Sequence, residues 1–143
     1  MDDLDKSLIA LLQADARQPL AMLARKLKIA RTTVQSRLER LEASGVITGY
    51  TLRLGVVADR PMIRATVLVS IEPRNQAAIL SRLRAMAEIE RAFTTSGRFD
   101  LLLQVAAIGT MELDIVLDAI GALPGVKSSE SLIHLTSRIE RGA

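Results

Sequence analysis

Between residues 25 and 40 the chain carries Arg25, Lys26, Lys28, Arg31, Arg37 and Arg40 against a single acid, Glu39, a local balance of +5. Interleaved with these cations are Thr32, Thr33, Gln35 and Ser36, short side chains that both donate and accept hydrogen bonds. On a helical wheel, Val34, Leu38 and Leu41 form one apolar face. Thr32, Thr33, Ser36 and Arg40 fall on the opposite side and Gln35 and Arg37 on its flanks. A helix with a small, polar, basic outer face fits a DNA major groove about 12 Å wide, where such groups reach base edges and phosphates. Arg31, Thr32, Thr33, Gln35 and Ser36 are therefore candidate base-reading residues of a double-stranded DNA ligand. Lys26, Lys28, Arg37, Arg40 and Arg53 are candidate phosphate contacts, which are independent of sequence and sensitive to salt. Arg37 has an alternative use, an ion pair within its own domain, and the whole stretch has a plain alternative, a solvated charged face.

Other chemistries are poorly supplied. The chain has no cysteine, which removes disulfides, thiolate metal sites and thiol catalysis. Its one histidine, His134, lies on an apolar strand and reads as a packed or interface residue. No catalytic set, metal site or cofactor is expected.

The elements that would position the basic stretch follow from periodicity. Leu4, Leu8, Leu11 and Leu12 mark a helix over about 3–14 with Asp2 or Asp3 at its N-cap. Leu20, Leu23, Ala24 and Leu27 mark a short second helix opened by Pro19. The third carries Val34, Leu38 and Leu41 and stops at Gly45. Val46–Leu54 is β-branched and alternating, a strand or small wing, so 1–54 reads as a winged-helix-like helix-turn-helix domain and 55–61 as a linker. From 62 to 143 the pattern is a strand at 63–71, a helix at about 75–86, strands at about 89–95 and 99–107, a helix at about 110–121 and a last strand at about 126–136. That order is βαββαβ, the ferredoxin-like plan, and the fold class is α+β. Leu101–Val105 is apolar on both faces, although this plan covers only one face with helices. A dimer through the open face is expected, the alternative being cover by the C-terminal tail.

Charge divides at the same place. Residues 1–60 hold ten Lys and Arg against seven Asp and Glu, and residues 61–143 hold nine against nine, so the net +3 belongs entirely to the first part. The acidic start Met1–Asp5 does not resemble a signal peptide and no apolar run approaches about 18 residues, so a cytoplasmic protein without membrane contact is expected.

Several ordered fragments resemble the Lrp/AsnC (feast/famine) family of bacterial and archaeal transcription regulators. They are Leu4-Asp5 with Ile9–Leu12, Asp15-Ala16-Arg17, Val34–Glu42 followed by Gly45-Val46-Ile47 and Gly49-Tyr50, Ser96–Leu103 with its Gly-x-Phe-Asp core, and Leu123–Val126. The resemblance spans essentially the whole chain. It implies a DNA-binding helix-turn-helix and a ligand-sensing domain that dimerises, assembles to tetramers or octamers and often binds an amino acid between dimers. On that basis Thr95, Ser96, Gly97, Arg98, Phe99 and Asp100 form a candidate effector site, with Gln104, Thr136 and Ser137 as polar additions across subunits. The backbone at Ser96-Gly97 offers donors to a carboxylate, and Asp100 an acceptor to an ammonium group. Lys28 stands where the family commonly has glycine, Ala30 where it has a capping serine, and Pro19 where it has serine.

Two other functions remain open on sequence alone. A tetrapyrrole decarboxylase of related fold would call for acid–base groups near the helix-turn-helix, and residues 1–60 hold no histidine. An amino-acid-sensing subunit that does not bind DNA would call for a neutral helix face, against the +5 cluster.

Overall fold

The structure, a computed structural model, describes residues 1–55 and 62–141. It divides into two compact units, Met1–Arg53 and Leu54–Glu140. The linker assigned to 55–61 falls almost wholly outside the described residues.

The first unit is three helices, α1 (Asp3–Ala14), α2 (Leu20–Leu27) and α3 (Arg31–Ala43). Asp2 caps α1 through a reciprocal box: its carboxylate accepts from the Asp5 backbone N–H at 2.9 Å, and the Asp5 carboxylate accepts from the Asp2 N–H at 3.3 Å. Pro19 is the N-cap of α2, its carbonyl accepting from Met22 and Leu23. Leu8, Leu23, Ala24, Val34 and Leu41 close into a buried core, with Ile47 packed on its margin. Gly45, at φ +79°, supplies the left-handed turn that ends α3.

Two expected weaknesses are present. Lys28, the turn residue between α2 and α3, sits at φ 57°, ψ 44°, the left-handed region that costs a residue with a Cβ ~1 kcal/mol. Ala30 is the N-cap of α3 and gives no side-chain hydrogen bond.

One expectation is corrected. Val46–Leu54 forms no strand. A strand is held by its ladder, and the three helices provide no neighbouring strand to pair with. Ile47 turns inward while Val46, Tyr50, Leu52 and Leu54 stay exposed.

The second unit is a four-stranded antiparallel sheet, β1 (Ile63–Ile71), β2 (Ile89–Thr94), β3 (Leu101–Ala107) and β4 (Val126–Ile133), in spatial order β2-β3-β1-β4. Helices α4 (Gln76–Arg84) and α5 (Thr110–Gly121) form the two connections, as the ferredoxin-like plan requires. Alternation in β1 decides its facing: Ala65, Val67, Val69 and Ile71 are buried together with Leu101, Leu103 and Val105 of β3, Ile79 and Leu83 of α4, and Leu113, Val116 and Ile120 of α5. The helix expected from about 75 begins as a 3-10 turn at Pro73–Asn75, and α4 ends at Arg84, where Met86 turns in to pack on the core.

The other sheet face carries no helix. Across it run Phe93, Leu102, Leu68 and Glu130 in one row and Arg91, Gln104, Thr66 and Leu132 in the next. Phe93 and Leu132 are about half exposed, and the tail does not cover them, since Leu135 is 95% exposed. β4 stops at Ile133 and not near 136: its ladder to β1 ends at the Ala65–Ile133 pair, and beyond it Leu135 stays in solvent and adds no packing to hold the strand. The last tie is the His134 N–H to the Arg64 carbonyl, 2.9 Å. No helix among the described residues is long and apolar enough to cross a membrane.

These geometries fix a stability test. Replacing Lys28 with glycine should stabilise the first unit by ~1 kcal/mol, and Ala30→Ser should add a similar amount by capping α3. Urea denaturation should show each as a higher midpoint at unchanged slope, while Lys28→Ala, which keeps a Cβ, should show no gain.

Candidate nucleic-acid interface and effector site

Helix α3 presents Arg31, Thr32, Gln35, Ser36 and Arg40 to solvent. Thr32 and Ser36 are one turn apart, and among the described residues no hydrogen bond engages either hydroxyl. Gln35 is partly committed, its amide donating to Glu39 at 3.2 Å. Thr33 does not lie on the outer face as the wheel suggested. It is half-buried on the flank shared with Arg37, about a quarter-turn from Val34. Lys26 and Lys28 are exposed on the preceding helix and turn, with the Lys26 ammonium donating to Gln18 Oε1 at 2.8 Å. Arg53 is exposed at the end of this unit.

Arg37 takes the second of the two uses open to it. Its Nη1 donates to both carboxylate oxygens of Asp2 at 2.7 Å and to Asp5 Oδ1 at 3.1 Å, and only 22% of its side chain is exposed. This arginine ties α3 to the capped start of α1 and is not available as a phosphate contact. Asp5 is the single buried charged residue among the described ones, and two donors satisfy it: the Asp2 N–H and Arg37. Arg40 approaches Asp5 only to 3.8 Å, and its side chain stays 65% exposed. The hydrogen bond from Arg37, followed by the one from the Asp5 backbone, holds the Asp2 carboxyl well below the usual range, at about 2. The same two carboxylates push Arg37 upward. Sequence alone pointed to an ion pair but not to its partners, which lie 35 and 32 residues away. The Tyr50 side chain is exposed, yet partial desolvation of its hydroxyl, and then the hydrogen bond it donates to Glu42 Oε1 at 3.2 Å, pushes that hydroxyl's pKa upward.

The turn after β2 is ordered by its own hydrogen bonds. The Thr95 N–H donates to the Asp100 carbonyl at 3.0 Å and the Thr95 hydroxyl to the Phe99 carbonyl at 2.7 Å, while Gly97 adopts φ +104°. Arg98 lies 5.2 Å from the centre of the Phe99 ring. Asp100 is anchored twice to β1: its N–H donates to the Val69 carbonyl and its Oδ2 accepts from the Ile71 N–H, both at 2.8 Å. One carboxylate oxygen, Oδ1, remains for another partner.

Not all candidate effector residues come together within one chain. Asp100 lies at the Ile71 end of β1. Thr136 and Ser137 follow His134 at the Arg64 end, ~20 Å of strand away, and Gln104 faces the open side of the sheet. Neither the groove of about 520 Å³ between α4 and β2 nor the pocket of about 100 Å³ beside Pro124 is lined by any of them. His134 accepts or donates one hydrogen bond, Nε2 to the Thr66 hydroxyl at 2.7 Å.

Comparison with known proteins agrees with this arrangement. Residues 1–42 match the AsnC-type helix-turn-helix domain and residues 64–143 the Lrp/AsnC ligand binding domain. The HTH-type transcriptional regulator FL11 of Pyrococcus furiosus is 30% identical over 135 residues, 94% of this chain and 89% of that protein. The fold of Escherichia coli AsnC superposes with a TM-score of 0.90 at 22% identity, covering 100% of this chain and 97% of the other. The transcriptional regulator NMB0573 of Neisseria meningitidis, solved as an L-Met complex, gives 0.87 at 23% identity over 99% and 94%. The chain belongs to the Lrp/AsnC family of DNA-binding transcriptional regulators, its helix-turn-helix in the first unit and its ligand-binding domain in the second.

Proposed function

We propose that the protein regulates transcription from the cytoplasm by placing the outer face of α3 in a major groove, as a dimer whose affinity for DNA responds to a free amino acid. The observation that carries this reading is the solvent face of α3, where Arg31, Thr32, Ser36 and Arg40 stand together in a segment of local charge +5. Thr32, Gln35 and Ser36 reach base edges. Arg31 adds a guanidinium, and Lys26, Lys28, Arg40 and Arg53 contact phosphates. Thr33 supports the helix flank and Arg37 sets the angle of the helix.

One such helix spans about four base pairs, so specificity needs two, in half-sites one turn or a multiple apart. The uncovered sheet face supplies the means. Phe93, Leu68, Leu102 and Leu132 make an apolar patch that a second subunit would bury, bringing two copies of the first unit into one molecule. Relatives of this chain are named transcriptional regulators, and binding without catalysis is the role we assign. Larger assemblies of dimers would then enclose the effector.

For the effector, Asp100 Oδ1 and the exposed Ser96-Gly97 backbone are the matching acceptor and donors for the two ends of an amino acid. The L-Met complex of the NMB0573 regulator supports an amino acid as the ligand class. Control follows if the amino acid binds one assembly more tightly than another that spaces the α3 helices differently.

Three measurements test this reading. In a genomic-fragment selection followed by titration across salt, Thr32→Ala with Ser36→Ala should relax sequence preference. Arg40→Ala should weaken binding to all sequences alike and lower the salt slope by about 1. Identical behaviour of the two would remove the groove assignment. The Asp2 carboxyl, about 2 when folded against 3.8 in its ordinary state, contributes stability that is fully present above pH ~4 and lost as pH falls toward 2. An acid titration followed by circular dichroism should show this loss, and Arg37→Gln should flatten it. Asp100→Asn keeps an acceptor for the Ile71 N–H but loses the charge. It should leave the melting temperature nearly unchanged and weaken L-methionine binding in calorimetry by at least ~10-fold.

A further inference from the structure

The solvent side of α3 that carries the cations also carries an acid with no part in the contacts assigned so far. Glu39 is exposed, and among the described residues it takes part in no ion pair, although Arg40 is its neighbour in the chain. A carboxylate beside a groove walled by phosphates is repelled by them, so its place in a segment of local charge +5 calls for a compensating use. The other acid of this helix, Glu42, has one, since it accepts from the Tyr50 hydroxyl.

The partner of Glu39 is Gln35, one turn earlier on the helix, whose Nε2 donates to Glu39 Oε1 at 3.2 Å. An ionised carboxylate only accepts, so it takes the nitrogen end of the amide and refuses the oxygen end. That preference decides which way round the Gln35 amide stands. A glutamine without such a neighbour can turn its amide over and offer either end to a ligand. Here one N–H is committed to Glu39, and the carbonyl oxygen and the second N–H have no partner among the described residues.

A free acceptor and a free donor on one amide match adenine in the major groove, which presents the N7 acceptor beside the N6 amino donor. Guanine presents two acceptors there, N7 and O6, and would set its O6 against the glutamine carbonyl. Thymine offers one acceptor and a methyl group, and cytosine one donor, so neither can engage both ends. Position agrees with this use. Gln35 is the fifth residue of α3, within the N-terminal part that enters a groove, and Glu39 stands one turn behind it.

We propose that Glu39 is a positioning residue that holds the Gln35 amide for bidentate reading of one adenine in each half-site, its carbonyl oxygen on the N6 amino group and its free N–H on N7. The proposal rests on the major-groove reading of α3 given above. It assigns Glu39 two opposed effects on binding: its charge weakens attachment to DNA of any sequence, and its hydrogen bond sharpens the choice at one base pair.

The test uses the full chain in selection from a random duplex library, followed by titration of the selected site and of versions with a single base pair exchanged. Gln35→Ala should erase the preference at one position of each half-site. At that position the parent should favour adenine over the other bases by roughly 10-fold or more. Glu39→Ala should lose most of this discrimination while binding unrelated DNA more tightly than the parent does, because an acid has left the face. Glu39→Gln keeps an acceptor for the Gln35 amide without the charge. It should recover part of the discrimination and retain the tighter binding to unrelated DNA. All three positions of change are exposed and receive good helix formers, and melting followed by circular dichroism should place each variant near the parent. A contribution to helix stability alone would not move the choice of one base. The proposal is overturned by a Gln35→Ala variant that relaxes no position, by a base other than adenine at the position it relaxes, by full discrimination there in Glu39→Ala, or by Glu39→Gln discriminating no better than Glu39→Ala. A parent that shows no sequence preference at all overturns the groove reading itself, and this proposal with it.

Discussion

A four-stranded sheet has two faces, and this chain has helices for only one of them. The proposed association depends on the face that is left over. The side chains of β1 alternate strictly, so burying Ala65, Val67, Val69 and Ile71 under α4 and α5 obliges Thr66, Leu68 and Ser70 to face the other way. Because β3 is apolar on both sides, Leu102 faces that side, half-buried beside Leu68, and the more exposed Phe93 and Leu132 extend the patch across the sheet. Hydrophobic area left in water is a standing drive toward association. On the function proposed, that drive does the work of pairing two DNA-reading helices, neither of which contacts enough bases alone.

Within the first unit the decisive contact is electrostatic. Val34 and Leu41 bury one face of α3 in the apolar core, which is non-directional. The Arg37 guanidinium, gripped by Asp2 and Asp5, adds a directional tie to α1. The grip also draws on the cap of α1, since the same two carboxylates accept from each other's backbone N–H. Start of chain and reading helix are therefore one mechanical piece. This sits beside two local weaknesses, the left-handed Lys28 and the uncapped Ala30, at the turn that leads into α3. Long-range ion pairing holds what the local sequence leaves marginal.

Much of this was legible before any coordinates. The alternation of 63–71 and the leucine spacing of 4–12 determine their elements almost to the residue, because one face of each must be apolar at a fixed period. What periodicity cannot see is partnership. Val46–Leu54 has the composition of a strand but no neighbour to form a ladder with, and the β4 ladder ends opposite Ala65 of β1, three residues short of the expected limit. Arg37 illustrates the same limit on the helix: its partners Asp2 and Asp5 come from α1, which spacing within α3 does not encode. The Gly-x-Phe-Asp turn is plain in the sequence, yet half of its carboxylate is spent on Ile71, a bond visible only in three dimensions.

The strand order β2-β3-β1-β4 sets the order in which the units can mature during synthesis. The helices of the first unit pack within a stretch of about fifty residues, and such local contacts form early and fast. The sheet cannot: β1 is central, and one of its two neighbours, β4, is the last of the four strands in chain order. A DNA-reading unit thus acquires its shape on a nascent chain that still lacks a finished sheet face. On the function proposed, association through that face waits for β4, which keeps chains that still lack this strand from pairing through an incomplete apolar surface.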